Sequence, residues 1–152
     1  MKAYAKANQT VEAVQSVYRW SAGIFNFKGQ LHVTNKNNSS SDILAVTLAV
    51  LHYNSDNKPC EVNVTGRADQ TESFSHAIES VFNNVKIGPN KTGTVTVDLH
   101  TVSRLNANKY DFDPALCQGI ACVKSVTFSD GTILDNEYYP FWIEEYKGKD
   151  IR

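Results

Sequence analysis

Residues 42–54, "DILAVTLAVLHYN", constrain the fold more than any other stretch. In an extended chain Leu44, Val46, Leu48 and Val50 fall on one face, and Ile43, Ala45, Thr47, Ala49, Leu51 and Tyr53 on the other. A helix through Leu44, Leu48 and Leu51 is the competing reading. Alternating valines and polar turns on both sides favour a strand. A strand that is apolar on both faces must be covered on both, which gives it a central place in a layered structure.

Other segments carry the same period of two. "GQLHVTN" sets Leu31 and Val33 against Gln30, His32 and Thr34, and "GTVTVDLHTV" sets Val95, Val97 and Leu99 against Thr94, Thr96, Asp98 and His100. "CEVNVT" places Cys60, Val62 and Val64 on one side. "VKSVTFSDGTIL" predicts a strand, a turn at Asp130-Gly131 and a short returning strand. Near the start, "VEAVQSVYRW" and "IFNFKG" flank a break at Gly23. "TESFSHAIESVFNN" fits two periods. Phe74, Ala77, Ile78, Val81 and Phe82 make a helical stripe, whereas Phe74, His76, Ile78, Ser80 and Phe82 alternate as a strand. The strand has the slight advantage, and a short helix near residues 71–82 stays open.

The polar run "NKNNSSSD", residues 35–42, reads as a boundary between domains or as a turn within one. A boundary there would leave a first piece of 34 residues, too short to hold a core without staples. The run is therefore a hairpin-like turn, and residues 1–152 form one domain. The strand count and spacing predict an all-β fold, an antiparallel β-sandwich of about seven strands.

Fifteen basic and sixteen acidic residues give a net charge of −1, which argues against a nucleic-acid partner held by a basic face. No apolar run is long enough to span a membrane. "MKAYAKANQT" has two lysines but no apolar stretch behind them, so no signal peptide is expected.

The order of these elements resembles the FxLYD-type immunoglobulin-like domains of bacterial lipoproteins and secreted proteins. Asn38-Ser39, Tyr53-Asn54, Gly88-Pro89 with Gly93, and Ser129-Asp130-Gly131-Thr132 stand where that family has its turns. The resemblance covers about residues 20–135. It implies an immunoglobulin-like sandwich acting as a non-catalytic module at the cell surface or in secretion, and brings no catalytic residues. The chain departs from it in lacking a lipobox, in the segment 66–84 and in the aromatic tail at 137–147.

Candidate sites are few. The tail "EYYPFWIEEYKGK" gathers Tyr138, Tyr139, Phe141, Trp142 and Tyr146, residue types that anchor protein interfaces and stack on sugars. The alternative is that Phe141 and Ile143 pair with the sandwich, as in a strand, while Trp142 closes one end. The expected function is a non-catalytic interaction or accessory module of a secreted bacterial or phage-encoded protein with a protein or glycan partner. A carbohydrate-binding module using the aromatic tail, or a small protein inhibitor presenting sandwich loops, is the alternative, and the identity of the partner and the oligomeric state are open. His32, Asp98 and His100 share strand polar faces without metal-ligand spacing, so neither a metal nor a cofactor is expected. Glu144 and Glu145 read as exposed charge, and no nucleophile motif points to catalysis. Of the three cysteines, Cys60 and Cys122 share parity with core valines and read as inert thiols; a Cys117–Cys122 disulfide is the alternative.

Overall fold

The alternating segments form strands, and the strands form two layers. The structure, a computed structural model, describes residues 1–22, 26–54, 56–63, 74–103 and 118–151. The elements run α1 (Lys2–Ala7), β1 (Val11–Ala22), β2 (Asn26–Asn37), β3 (Ile43–Tyr53), β4 (Val62–Asn63), β5 (Phe74–Ser75), β6 (Ala77–Phe82), β7 (Thr92–Ser103), β8 (Gln118–Phe128), β9 (Ile133–Asp135) and α2 (Tyr139–Tyr146). One antiparallel sheet has the order β1-β2-β7 and the other β6-β3-β8-β9; β4 and β5 pair separately. This is an all-β, immunoglobulin-like sandwich.

β3 is covered on both faces, as its sequence requires. Val46, Leu48 and Val50 meet Leu31, Val33, Val95, Val97, Val123 and Val126 between the sheets. On its other face, Ala49, Leu51 and Tyr53 pack with Cys122, Tyr138 and Trp142 beneath α2. The helix therefore acts as a third, partial layer.

Two bulges change which residues share a face. The β3–β8 register shifts between Ile43 and Ala45, and again between Thr47 and Leu48. Leu44 becomes an extra residue, so Ile43 joins the core beside Val46 instead of facing away from it. On β8 the partners jump from Ser125 to Val123 across Lys124. Cys122 consequently lies under α2, opposite the face of Val126 with which strict alternation groups it. Cys60 is half-buried just before β4, and Val64 lies outside the described residues.

Residues 74–82 are β5 and β6 with His76 between them, which bears out the strand reading over the short-helix alternative there; residues 71–73 lie outside the described set. β6 pairs with β3, placing Phe82 opposite Val46 and Ile78 opposite Val50, which satisfies an otherwise open ladder edge. In the run 35–42, residues 35–37 end β2 and 38–42 form the turn, which is not hairpin-like because β2 and β3 belong to different sheets. The aromatic tail is a helix rather than a strand. Its buried stripe Tyr138–Trp142 continues to half-buried Tyr146 at helical spacing, and Pro140 sits in the first turn, where its missing N–H costs nothing.

The crossing between the sheets is held by Asn37, which is fully buried. Its Nδ2 donates to Ser41 O at 2.8 Å and Ile87 O at 2.9 Å, and its Oδ1 accepts from Ser39 N at 2.9 Å. Its main chain adds bonds to Lys91 O and from Asn90 N. The turn is thereby fastened to the β6–β7 connection, where Gly93 lies against buried Ile87. The Asp130-Gly131 turn forms as expected, with Gly131 at φ 87° and Asp130 Oδ1 accepting from Thr132 N at 2.9 Å.

A Cβ at Gly93 would stand 2.7 Å from Ile87 Cγ1. Gly93→Ala is expected to destabilise the fold by about 1–3 kcal/mol, the usual range for overpacking. Urea denaturation of the variant beside the parent measures this, and equal midpoints would contradict the close contact.

Candidate functional site

The connection from β9 into α2 turns on Asn136. Its Nδ2 donates to Val123 O at 2.7 Å and to Gln9 Oε1 at 3.0 Å. Its Oδ1 accepts from Tyr138 N at 3.0 Å, and its carbonyl accepts from Tyr139 N at 3.1 Å. One side chain thus ties β8, the start of α2 and the segment between α1 and β1. Lys2 adds an ion pair to Glu145 on α2. These contacts bring both ends of the described chain together on one face.

A cleft lies on either side of the N-terminal segment. The first, of about 250 Å³, has Val11, Val123 and Val126 in its wall, with Tyr4, Leu134, Asp135, Asn136 and Glu137 around it. The valines are core residues, while Tyr4 and Leu134 are 72% and 40% exposed. The second, of about 330 Å³, is bounded by Tyr138, Trp142 and Tyr146 on α2, Cys122 on β8, and Lys6, Gln9 and Glu12.

The aromatic residues singled out in the sequence are brought together, chiefly as packing. Tyr138 and Trp142 are each only 5% exposed, and Tyr139, Phe141 and Tyr146 are half-buried against the same cluster. Trp142 lies 6.2 Å from the Tyr139 ring and 6.1 Å from that of Tyr146. Lys124 pairs with Glu79 at 2.9 Å and stands 5.6 Å from the Tyr139 ring centre. Tyr138, Trp142 and Tyr146 still contribute to the wall of the second cleft. Cys122 is a buried free thiol whose titration burial pushes up to about 12, which makes it a poor nucleophile. Cys117 lies outside the described residues.

His52 and His76 come together, while His32 lies on the other sheet. His32 Nδ1 is 3.1 Å from Thr96 Oγ1, and its Nε2 is buried without a partner among the described residues. The Asp98 and His100 side chains lie outside the described set. Among the described residues, no group of three or more His, Cys, Asp or Glu could hold a metal ion. His76 bridges two segments: its Nδ1 is 2.8 Å from His52 O, and its Nε2 accepts Gly148 N–H at 3.1 Å. Tyr53 stacks edge-on against His76 at 5.2 Å and donates its hydroxyl to Tyr146 O at 2.7 Å. Desolvation, and then the Tyr146 hydroxyl, raise Tyr53 to about 12, so it remains a donor.

Nothing in the amino-acid order points to the first cleft. Tyr4 is about 130 residues from Leu134 and Asn136, and no spacing motif joins the three. The only local hint is an Asn two residues ahead of a Tyr-Tyr-Pro helix start.

His52 is fully buried, and desolvation, followed by repulsion from His76, lowers its pKa from 6.5 to about 3. Its lowered value means the folded state favours the neutral ring. This contribution to stability is complete above pH 6.5 and is lost as pH falls towards 3, at up to about 1.4 kcal/mol per pH unit. An NMR titration should find His52 neutral at pH 4.5; a midpoint near 6 would contradict its burial.

Residues 30–149 match the model of a protein family described as a family of unknown function, DUF5780. A solved structure, a 1.85 Å X-ray structure of a hypothetical protein from Peptoclostridium difficile 630, aligns with a TM-score of 0.67. It is 15% identical and the match covers 93% of each chain, a likeness that shows the fold. The comparison with curated proteins gives no match. With most of its length inside the family model, the chain belongs to the DUF5780 family.

Proposed function

We propose that the protein is a non-catalytic interaction module of a secreted bacterial or phage-encoded protein, and that it meets its partner at the face where the N-terminal segment and α2 converge. The observation that carries this reading is the first cleft, where core valines lie beside exposed Tyr4 and Leu134. Large apolar side chains left exposed beside a cleft of mixed polar and apolar lining favour burial by a partner. The FxLYD resemblance supports the secreted setting.

A glycan partner is the second reading. It is favoured by the second cleft, where the Tyr138, Trp142 and Tyr146 rings accompany the polar side chains of Lys6, Gln9 and Glu12. The near-complete burial of Tyr138 and Trp142 leaves little ring surface for a sugar, whereas Tyr4 and Leu134 present exposed apolar surface at the first cleft, so the protein partner is preferred.

Leu134→Asp puts a charge at the first cleft on a short edge strand, where the fold should tolerate it. Immobilised parent protein is expected to retain a specific partner from its native source, and the variant to lose at least tenfold of that capture while melting like the parent. Equal capture by both proteins would place the contact surface elsewhere. Binding to a glycan array with a change in Trp emission would favour the second reading instead.

A further inference from the structure

We propose that the first cleft seats one large apolar side chain of a partner peptide, and that this side chain is flanked in the partner by lysine or arginine. The inference rests on the interaction-module reading and adds the chemistry of the partner.

Position argues for a peptide. The cleft lies between the edge strand of each sheet, with Thr10 and Val11 at the β1 side and Leu134 and Asp135 on β9. β9 is the last strand of its sheet, so a passing extended segment could run beside it and turn one side chain inward. Size argues for a single anchor. At about 250 Å³ the cleft falls short of the roughly 300–1,000 Å³ of small-molecule sites. It suits the aromatic or aliphatic anchors that dominate peptide recognition.

Charge argues for a cationic neighbour. Asp135 and Glu137 stand at the cleft and are exposed, and among the described residues neither is in an ion pair. Two of the nearby lysines are engaged elsewhere. Lys124, which senses Asp135, is held by Glu79 at 2.9 Å; Lys2 pairs with Glu145; Lys6 borders the other cleft. A basic residue beside the anchor would meet this unbalanced charge at the rim, where it adds selectivity more than affinity.

The test is a methyl NMR titration of the full chain with three capped tripeptides at millimolar concentration: Lys-Phe-Lys, Glu-Phe-Glu and Lys-Ser-Lys. Lys-Phe-Lys is expected to shift the Val11, Val123, Val126 and Leu134 methyl signals and to bind about fivefold more tightly than Glu-Phe-Glu, the order of one exposed ion pair. Lys-Ser-Lys should leave those methyls unmoved. Asp135→Asn with Glu137→Gln should abolish the preference while preserving the shifts. Equal binding of the two Phe peptides would overturn the cationic partner and leave the docking cleft standing. Silent methyls with all three peptides would overturn the inference itself. The module reading would then stand or fall separately, on partner capture by the parent and Leu134→Asp proteins.

Discussion

Burial of β3 on both faces is the constraint on which the rest of the structure depends. An ordinary sandwich strand is apolar on one face and solvated on the other. β3 instead sends Val46, Leu48 and Val50 into the sandwich and Ala49, Leu51 and Tyr53 to the outside, and sheet β1-β2-β7 can cover only one of these sets. The outer set needs a second cover, which α2 supplies with Tyr138 and Trp142. Burying a large apolar side chain contributes about 1.5–3 kcal/mol, so docking this helix is a structural requirement. α2 in turn positions Tyr138, Trp142 and Tyr146 along one cleft, and its entry through Asn136 fixes the wall of the other.

Much of the sandwich was legible because strand alternation is a local signal. Leu31, Val33, Val95 and Val97 lie where their parity puts them, and the turn at Asp130-Gly131 forms as its residues demand. Ile43 and Cys122 were assigned to the wrong faces because a bulge adds one residue and inverts parity beyond it. No residue type marks Leu44 or Lys124 as the extra one. The turn at 38–42 was legible from its Asn and Ser residues, but the strand character of 35–37 was not, and joining strands of different sheets depends on Asn37 reaching Ile87, fifty positions away.

The candidate site was less legible, for two physical reasons. Tyr, Phe, Trp and Ile in the tail favour strands in isolation, and only packing against β3 makes 139–146 a helix. The aromatic residues are therefore legible in the sequence, while the helix that carries them is not. The first cleft has no signature at all, since it is assembled from α1, β1, β8 and β9. The histidines show the reverse. His52 and His76 attract attention as titratable residues, yet the former is buried on β3 and the latter links β3 to Gly148.

Native-state hydrogen exchange tests the central place of β3 most directly, because protection reports the free energy of the opening that exposes each amide. Amides from Val46 to Leu51 should exchange only through global unfolding, and those of Trp142 to Tyr146 should be clearly protected above the rate of an unstructured chain. If the β3 amides exchange as fast as those of the edge strand β6, or if the α2 amides show no protection, a doubly covered β3 is not what holds this fold together.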